Sequence, residues 1–155
     1  MNLLININIL FGIFVCIKYE GKMLEVNGML NNKTVFVTGV AGFIGSNLAK
    51  RLLKEFDGIK VVGIDNMNDY YDVSIKEWRL KELQSNTSFT FFKGSIADKE
   101  IINNIFEEYK PSVVVNLAAQ AGVRYSITNP DAYIEANLIG FYNILEACRH
   151  NEVEH

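Results

Sequence analysis

A glycine-rich turn, Thr38-Gly39-Val40-Ala41-Gly42-Phe43-Ile44-Gly45, joins the apolar run Thr34-Val35-Phe36-Val37 to a helix-like run from Ser46 to Phe56. Few folds accommodate such a turn. A strand that passes through T-G-x-x-G-x-x-G into a helix is the physical form of a dinucleotide pyrophosphate site. Gly39 supplies the sharp turn, Gly42 lets backbone approach a phosphate with no Cβ between, and Gly45 lets helix and strand pack closely. The helix N-terminus then offers free N–H groups and partial positive charge to an anion. The bare spacing also occurs in ordinary turns, so its context decides.

That context is a second strand, Lys60-Val61-Val62-Gly63-Ile64-Asp65, ending in an acid. Asp65 lies twenty positions after Gly45, where a carboxylate grips adenosine ribose hydroxyls. The competing reading of Asp65 is a turn or helix-cap carboxylate. Asn66 and Met67 follow it, with no Arg or Lys. A carboxylate at this place repels a 2′-phosphate, so NAD is favoured over NADP.

The rest of the chain alternates in the same way. Asp72 or Ser74 can cap a helix running to about Leu83, with Ile75, Trp78 and Leu83 as its apolar side. Phe89-Thr90-Phe91-Phe92-Lys93 reads as a third strand. Ser95 to Tyr109 reads as a helical unit, with Asp98 near its start and Ile101, Ile102, Ile105 and Phe106 as inward candidates. Ser112-Val113-Val114-Val115-Asn116-Leu117 is apolar on both faces, as a strand between two helix layers should be. Asn129-Pro130-Asp131 starts the last helix, whose stripe Ile134, Leu138, Phe141, Leu145 and Cys148 predicts burial against the sheet. Ile139, Tyr142 and Ile144 widen that surface enough for part of it to meet a second copy of the chain. The alternation predicts an α/β, Rossmann-type parallel sheet of order 3-2-1-4 with helices on both faces. Ligand then binds at the carboxyl ends of strands 1 and 4, so the segment Asn116 to Ser126 lines the site. Arg124 there could pair with a phosphate or carboxylate; its plainer reading is a surface arginine.

The 155 residues, with a formal net charge of −3, suit one domain and predict no nucleic-acid partner. Cys16 and Cys148 lack metal or redox spacing and read as reduced thiols of a cytoplasmic protein. Residues 1–31 form an apolar N-terminal extension ahead of a cofactor domain at 32–155. Leu3 to Ile17 is shorter than the ~20 residues a membrane helix needs and lacks a preceding Lys or Arg. Three readings stand: a weak membrane anchor, an extra element packed on the domain, or sequence upstream of a start at Met23 or Met29. The last is favoured.

From Lys33 to His150 the chain resembles the extended short-chain dehydrogenase/reductase family, the NAD-dependent sugar-nucleotide epimerases and dehydratases. Asn116 to Ser126, Asn129-Pro130, Ala136-Asn137-Leu138-Ile139-Gly140 and Asn68-Asp69-Tyr70-Tyr71-Asp72-Val73-Ser74 are similar to the UDP-glucuronate 4-epimerases of capsular polysaccharide pathways. The resemblance implies NAD held by Gly39, Gly42, Phe43, Ile44 and Gly45, with Asp65 and Asn66 at the adenosine ribose. It implies Ser95 and Ile96 at the adenine, Leu117, Ala118, Ala119 and Gln120 along the cofactor, and Asn137 nearby. Gly122, Val123 and Arg124 fall where such enzymes approach the UDP-sugar. Ser95 stands where the family usually has Asp, and Asn116 where related epimerases often have His.

The family moves a hydride from sugar C4 to NAD and back to the other face through a 4-keto intermediate, with a tyrosine as base and a lysine four residues later. No Tyr-x-x-x-Lys occurs in this sequence. The expectation is therefore an N-terminal NAD-binding fragment, its substrate domain absent, that does not turn over alone. Two alternatives are an interaction module that dimerises or complements a separate C-terminal half, and a non-functional truncated product with Val113-Val114-Val115 as an exposed edge.

Overall fold

The computed structural model describes Lys18–Tyr19, Lys22–Met23 and residues 29–155. The readings of Leu3 to Ile17 lie outside the described residues. Lys18–Tyr19 (β1) and Lys22–Met23 (β2) form a short antiparallel pair. The main sheet is built from Thr34–Thr38 (β3), Lys60–Asp65 (β4), Phe89–Lys93 (β5) and Val113–Asn116 (β6). Its order is β5-β4-β3-β6 and every pairing is parallel, which is the expected 3-2-1-4 arrangement counted along this sheet.

Alternation along β3 splits the core in two. Val35 and Val37 face one layer, where they meet Ala49 and Leu52 of the helix Phe43–Glu55 (α1) and Leu80 and Leu83 of Val73–Gln84 (α2). Phe36 faces the other layer, with Ile102, Ile105 and Phe106 of Lys99–Tyr109 (α3) and Ile144 and Ala147 of Phe141–His150. A period-two strand with both sets apolar can be covered on both faces, and this one is.

Caps fix the helix starts. The Asp72 carboxylate accepts from Ser74 N at 2.9 Å and opens α2. Asp98 accepts from Glu100 N and Ile101 N at 3.0 and 3.2 Å, so α3 begins at Lys99 and not at Ser95.

Three expectations need correction. In α2 the buried residues are Lys76, Leu80 and Leu83, while Ile75 and Trp78 are exposed. The last helical run is Val123–Thr128 (α4), Pro130–Tyr133 (α5), a π-wound turn Ile134–Gly140, and Phe141–His150 (α6). Its sheet-facing residues are Gly140, Asn143, Ile144 and Ala147. Ile134, Leu138, Phe141 and Leu145 are exposed, and of the expected stripe Cys148 packs on the core. The β6 edge is partly closed as well: Glu154 N donates to Ser112 O at 2.9 Å and Val114 N to His155 O at 2.8 Å. No helix among the described residues is long and apolar enough to cross a membrane.

Candidate functional site

The carboxyl ends of β3 and β6 part into a crevice, and a buried threonine holds its two walls together. Thr38 Oγ1 donates to Asn116 Oδ1 at 2.6 Å and accepts from Leu117 N and Ala118 N, each at 2.9 Å. All its hydrogen-bonding capacity is used, which is the condition for burying a hydroxyl completely. Asn116 thus braces the crevice from its side.

The glycine turn fits where a larger residue cannot. Gly39 has φ +65°, and a Cβ there would lie 3.0 Å from Ala118 N and Leu117 C. At Gly45 a Cβ would lie 2.3 Å from Gly39 O, so this glycine serves close packing of α1 on the turn that feeds it. Gly42 is the N-cap of α1 and brings no side-chain cap, which leaves the first N–H groups of the helix free for an anion.

Asp65 closes one end of the cleft. Its Oδ2 accepts from Ala41 N at 3.1 Å and its Oδ1 from Met67 N at 2.9 Å. Each oxygen keeps lone pairs for a further donor, such as a ribose hydroxyl. Lys76 reaches the same place from α2. Its Nζ donates to Asn68 O and Oδ1 at 3.0 and 2.9 Å and lies 3.6 Å from Asp65 Oδ1.

One cleft brings together Gly39, Gly42, Asp65, Asn66, Ser95, Ile96, Leu117, Ala118, Ala119 and Gln120. Phe43 and Ile44 stand exposed at the start of α1, beside its free N–H groups and off the cleft wall. Asn137 acts one step back: its Oδ1 accepts from Gln120 N at 2.8 Å and its Nδ2 donates to Gln120 O at 3.0 Å. Ser95 accepts from Ala97 N at 3.1 Å, turning the chain beside Ile96. Gly122, Val123 and Arg124 lie at the start of α4, outside the cleft lining and solvent-exposed.

Several wall residues were not singled out by sequence as site residues: Asn68, Tyr70, Tyr71, Lys76 and Ala136. Tyr70 packs on Tyr71 and Tyr125, with ring centroids 4.7 and 5.0 Å away, and a Cβ on Gly122 would lie 2.1 Å from its hydroxyl. The loop after β4 thus touches the loop after β6 across the cleft. Asn143 was missed as well. It is buried in α6 and donates to Ile96 O and Ala97 O at 3.1 and 2.9 Å, holding the loop after β5. A polar residue on the sheet-facing side of an amphipathic helix is the signal that could have found it.

The cradle, the acid and the small-residue wall have the chemistry a dinucleotide needs: free N–H groups for a pyrophosphate, acceptors for ribose hydroxyls, and backbone open to a flat ring. The family described as GDP-mannose 4,6 dehydratase matches residues 36–155. This chain belongs to that family.

The chain is similar to protein CapI of Staphylococcus aureus, 52% identical over 120 residues, which cover 77% of this chain and 35% of CapI. A UDP-glucuronate 4-epimerase of Thermodesulfobacterium geofontis is 49% identical over 110 residues, 71% of this chain and 33% of that protein. The crystal structure of UDP-glucuronic acid 4-epimerase from Bacillus cereus, in complex with UDP-glucuronic acid and NAD, superposes with a TM-score of 0.69 at 34% identity. That match covers 76% of this chain and 36% of the Bacillus chain. The chain spans about a third of the length of the relatives it matches.

Proposed function

We propose that residues 32–155 are the NAD-binding part of a UDP-sugar epimerase whose reaction is C4 epimerisation of UDP-glucuronate. The observation that carries this is the meeting of Gly39, Gly42, Asp65 and Leu117 to Gln120 in one cleft. The names of the relatives point to the same chemistry. NAD would supply a hydride acceptor for sugar C4. The residues here would bind it: the α1 N-terminus at the pyrophosphate, Asp65 and Asn66 at the adenosine ribose, Ser95 and Ile96 at the adenine, and Leu117 to Gln120 along the rest. Asn137 would hold the Gln120 backbone in place. Gly122, Val123 and Arg124, on the rim beyond Gln120, would meet the UDP-sugar.

Calorimetric titration of NAD into the full 155-residue chain tests this. We expect saturable heat, and a rise in unfolding free energy of about 2.7 kcal/mol once NAD reaches about a hundred times its Kd. Absence of heat from well-folded protein would count against the reading.

The exposed face of the last helical run supports a homodimer. Ile134, Leu138, Phe141, Tyr142 and Leu145 recur on one side, away from the sheet. A contiguous apolar strip of this kind is normally covered. Sedimentation should give a dimer, and Phe141→Glu, which puts a carboxylate in the middle of the strip, should shift it to monomer with the NAD response retained. A wild-type monomer at all accessible concentrations would refute the dimer.

A further inference from the structure

We propose that Lys76 sets how strictly this cleft selects NAD over its 2′-phosphorylated form. The inference rests on reading the cleft as the NAD site. Read along the chain, the acid Asp65 stands without a basic neighbour, and its charge alone should repel a 2′-phosphate. The fold alters that. Helix α2 returns an ammonium group to within 3.6 Å of Asp65 Oδ1. The two side chains are 10% and 7% exposed, so little solvent screens one from the other.

The geometry says what Lys76 does there. Two of its three N–H groups are taken up by Asn68 O and Oδ1. The third has no hydrogen-bond partner among the described residues, and Lys76 lines the cleft beside Asp65. It can reach an oxygen at the ribose edge: a 2′-hydroxyl in one dinucleotide, a 2′-phosphate in the other. Asp65 therefore meets a ligand as half of a neutral pair, and a phosphate there faces a cation as well as an anion. Discrimination against the 2′-phosphate is correspondingly weaker than a bare carboxylate would give.

The test is the ratio of the Kd for NADP to the Kd for NAD, measured by calorimetry on the full chain and its variants. Lys76→Met leaves the carboxylate uncompensated and should raise the ratio by about tenfold or more. Lys76→Arg keeps the charge and should hold the ratio near the wild-type value. Lys76→Gln keeps a donor for Asn68 but loses the charge; it should raise the ratio as Lys76→Met does, which keeps the proposal falsifiable if Lys76→Met fails to fold. A lysine that merely braces Asn68 would weaken both dinucleotides together. NAD binding with an unchanged ratio in Lys76→Met, or in Lys76→Gln where Lys76→Met does not fold, overturns the role of Lys76 alone. No binding of either dinucleotide to the wild-type chain overturns the cofactor reading and this inference with it.

Discussion

Phe36→Ala should remove a large share of the stability of this domain. Phe36 is fully buried on β3, the strand flanked by β4 and β6. Its ring meets Phe106 edge-on, with centroids 5.5 Å apart and planes at 80°. Around it lie Val62, Ile64, Ile102 and Ile105. Truncation forfeits the transfer free energy of the ring and leaves a cavity that a parallel sheet cannot collapse to fill, a cost of about 3–5 kcal/mol. The lost edge-to-face contact accounts for about 0.5–1.5 kcal/mol of that cost. Whole domains of this kind hold only about 5–15 kcal/mol. Urea unfolding of wild type and variant, compared at equal slope, measures the difference. A loss below about 1 kcal/mol would mean that Phe36 is not the packing centre its burial indicates.

The sequence signals that worked were those in which one local rule had no competitor. Strand β3 alternates Val35, Phe36, Val37, and both faces are used. The glycines of the turn mark places where a Cβ meets backbone, at Gly39 and Gly45, and no side chain could substitute. Helix faces were harder, for identifiable reasons. Hydropathy puts Trp78 inside α2 and Lys76 outside. The fold reverses both, because Asn68 and Asp65 give Lys76 the partners a buried ammonium requires, while the Trp78 ring is served by Lys50 at 5.3 Å on the surface.

On the last helical run, the apolar stripe of the sequence assumes one uniform period across Ile134–Gly140. That turn is π-wound, and its wider winding slips the phase of everything after it. The face that reaches the sheet is chosen by closeness of approach. A Cβ on Gly140 would lie 2.5 Å from Ile96 Cγ1, and Asn143 is needed for the carbonyls of Ile96 and Ala97. Size and hydrogen bonding, not hydropathy, select those residues. Lys76 and Tyr70 were illegible as site residues for a related reason: α2 brings the one and the loop after β4 the other to the cleft, by tertiary packing that no local pattern encodes.

Supplied with UDP-glucuronate and NAD, the 155-residue chain should form no epimer above background. The family's chemistry asks for a tyrosine base with a lysine four residues on. Here the residues four after Tyr19, Tyr70, Tyr71, Tyr109, Tyr125, Tyr133 and Tyr142 are Met23, Ser74, Ile75, Val113, Asn129, Asn137 and Glu146. Two tyrosines on the segment after β6 are engaged elsewhere. Tyr125 Oη accepts from Asn129 Nδ2 at 2.7 Å, and the Tyr133 hydroxyl donates to Ala121 O at 2.8 Å. Desolvation, with Tyr70 and Tyr125 nearby, pushes the Tyr133 hydroxyl above its ordinary value, the wrong direction for a group that must give up its proton near neutral pH. Lys76, the lysine on the cleft wall, donates its hydrogen bonds to Asn68 and, among the described residues, to neither hydroxyl. Lack of a positioned base alone costs about 10²–10⁴ in rate. Chromatographic separation of UDP-glucuronate from its C4 epimer after long incubation reads the outcome directly. Product from the chain alone would show that a base other than the family's tyrosine operates here. Product only on adding a second polypeptide that carries a Tyr-x-x-x-Lys would place the base on that partner and leave the cofactor cradle as the contribution of this chain.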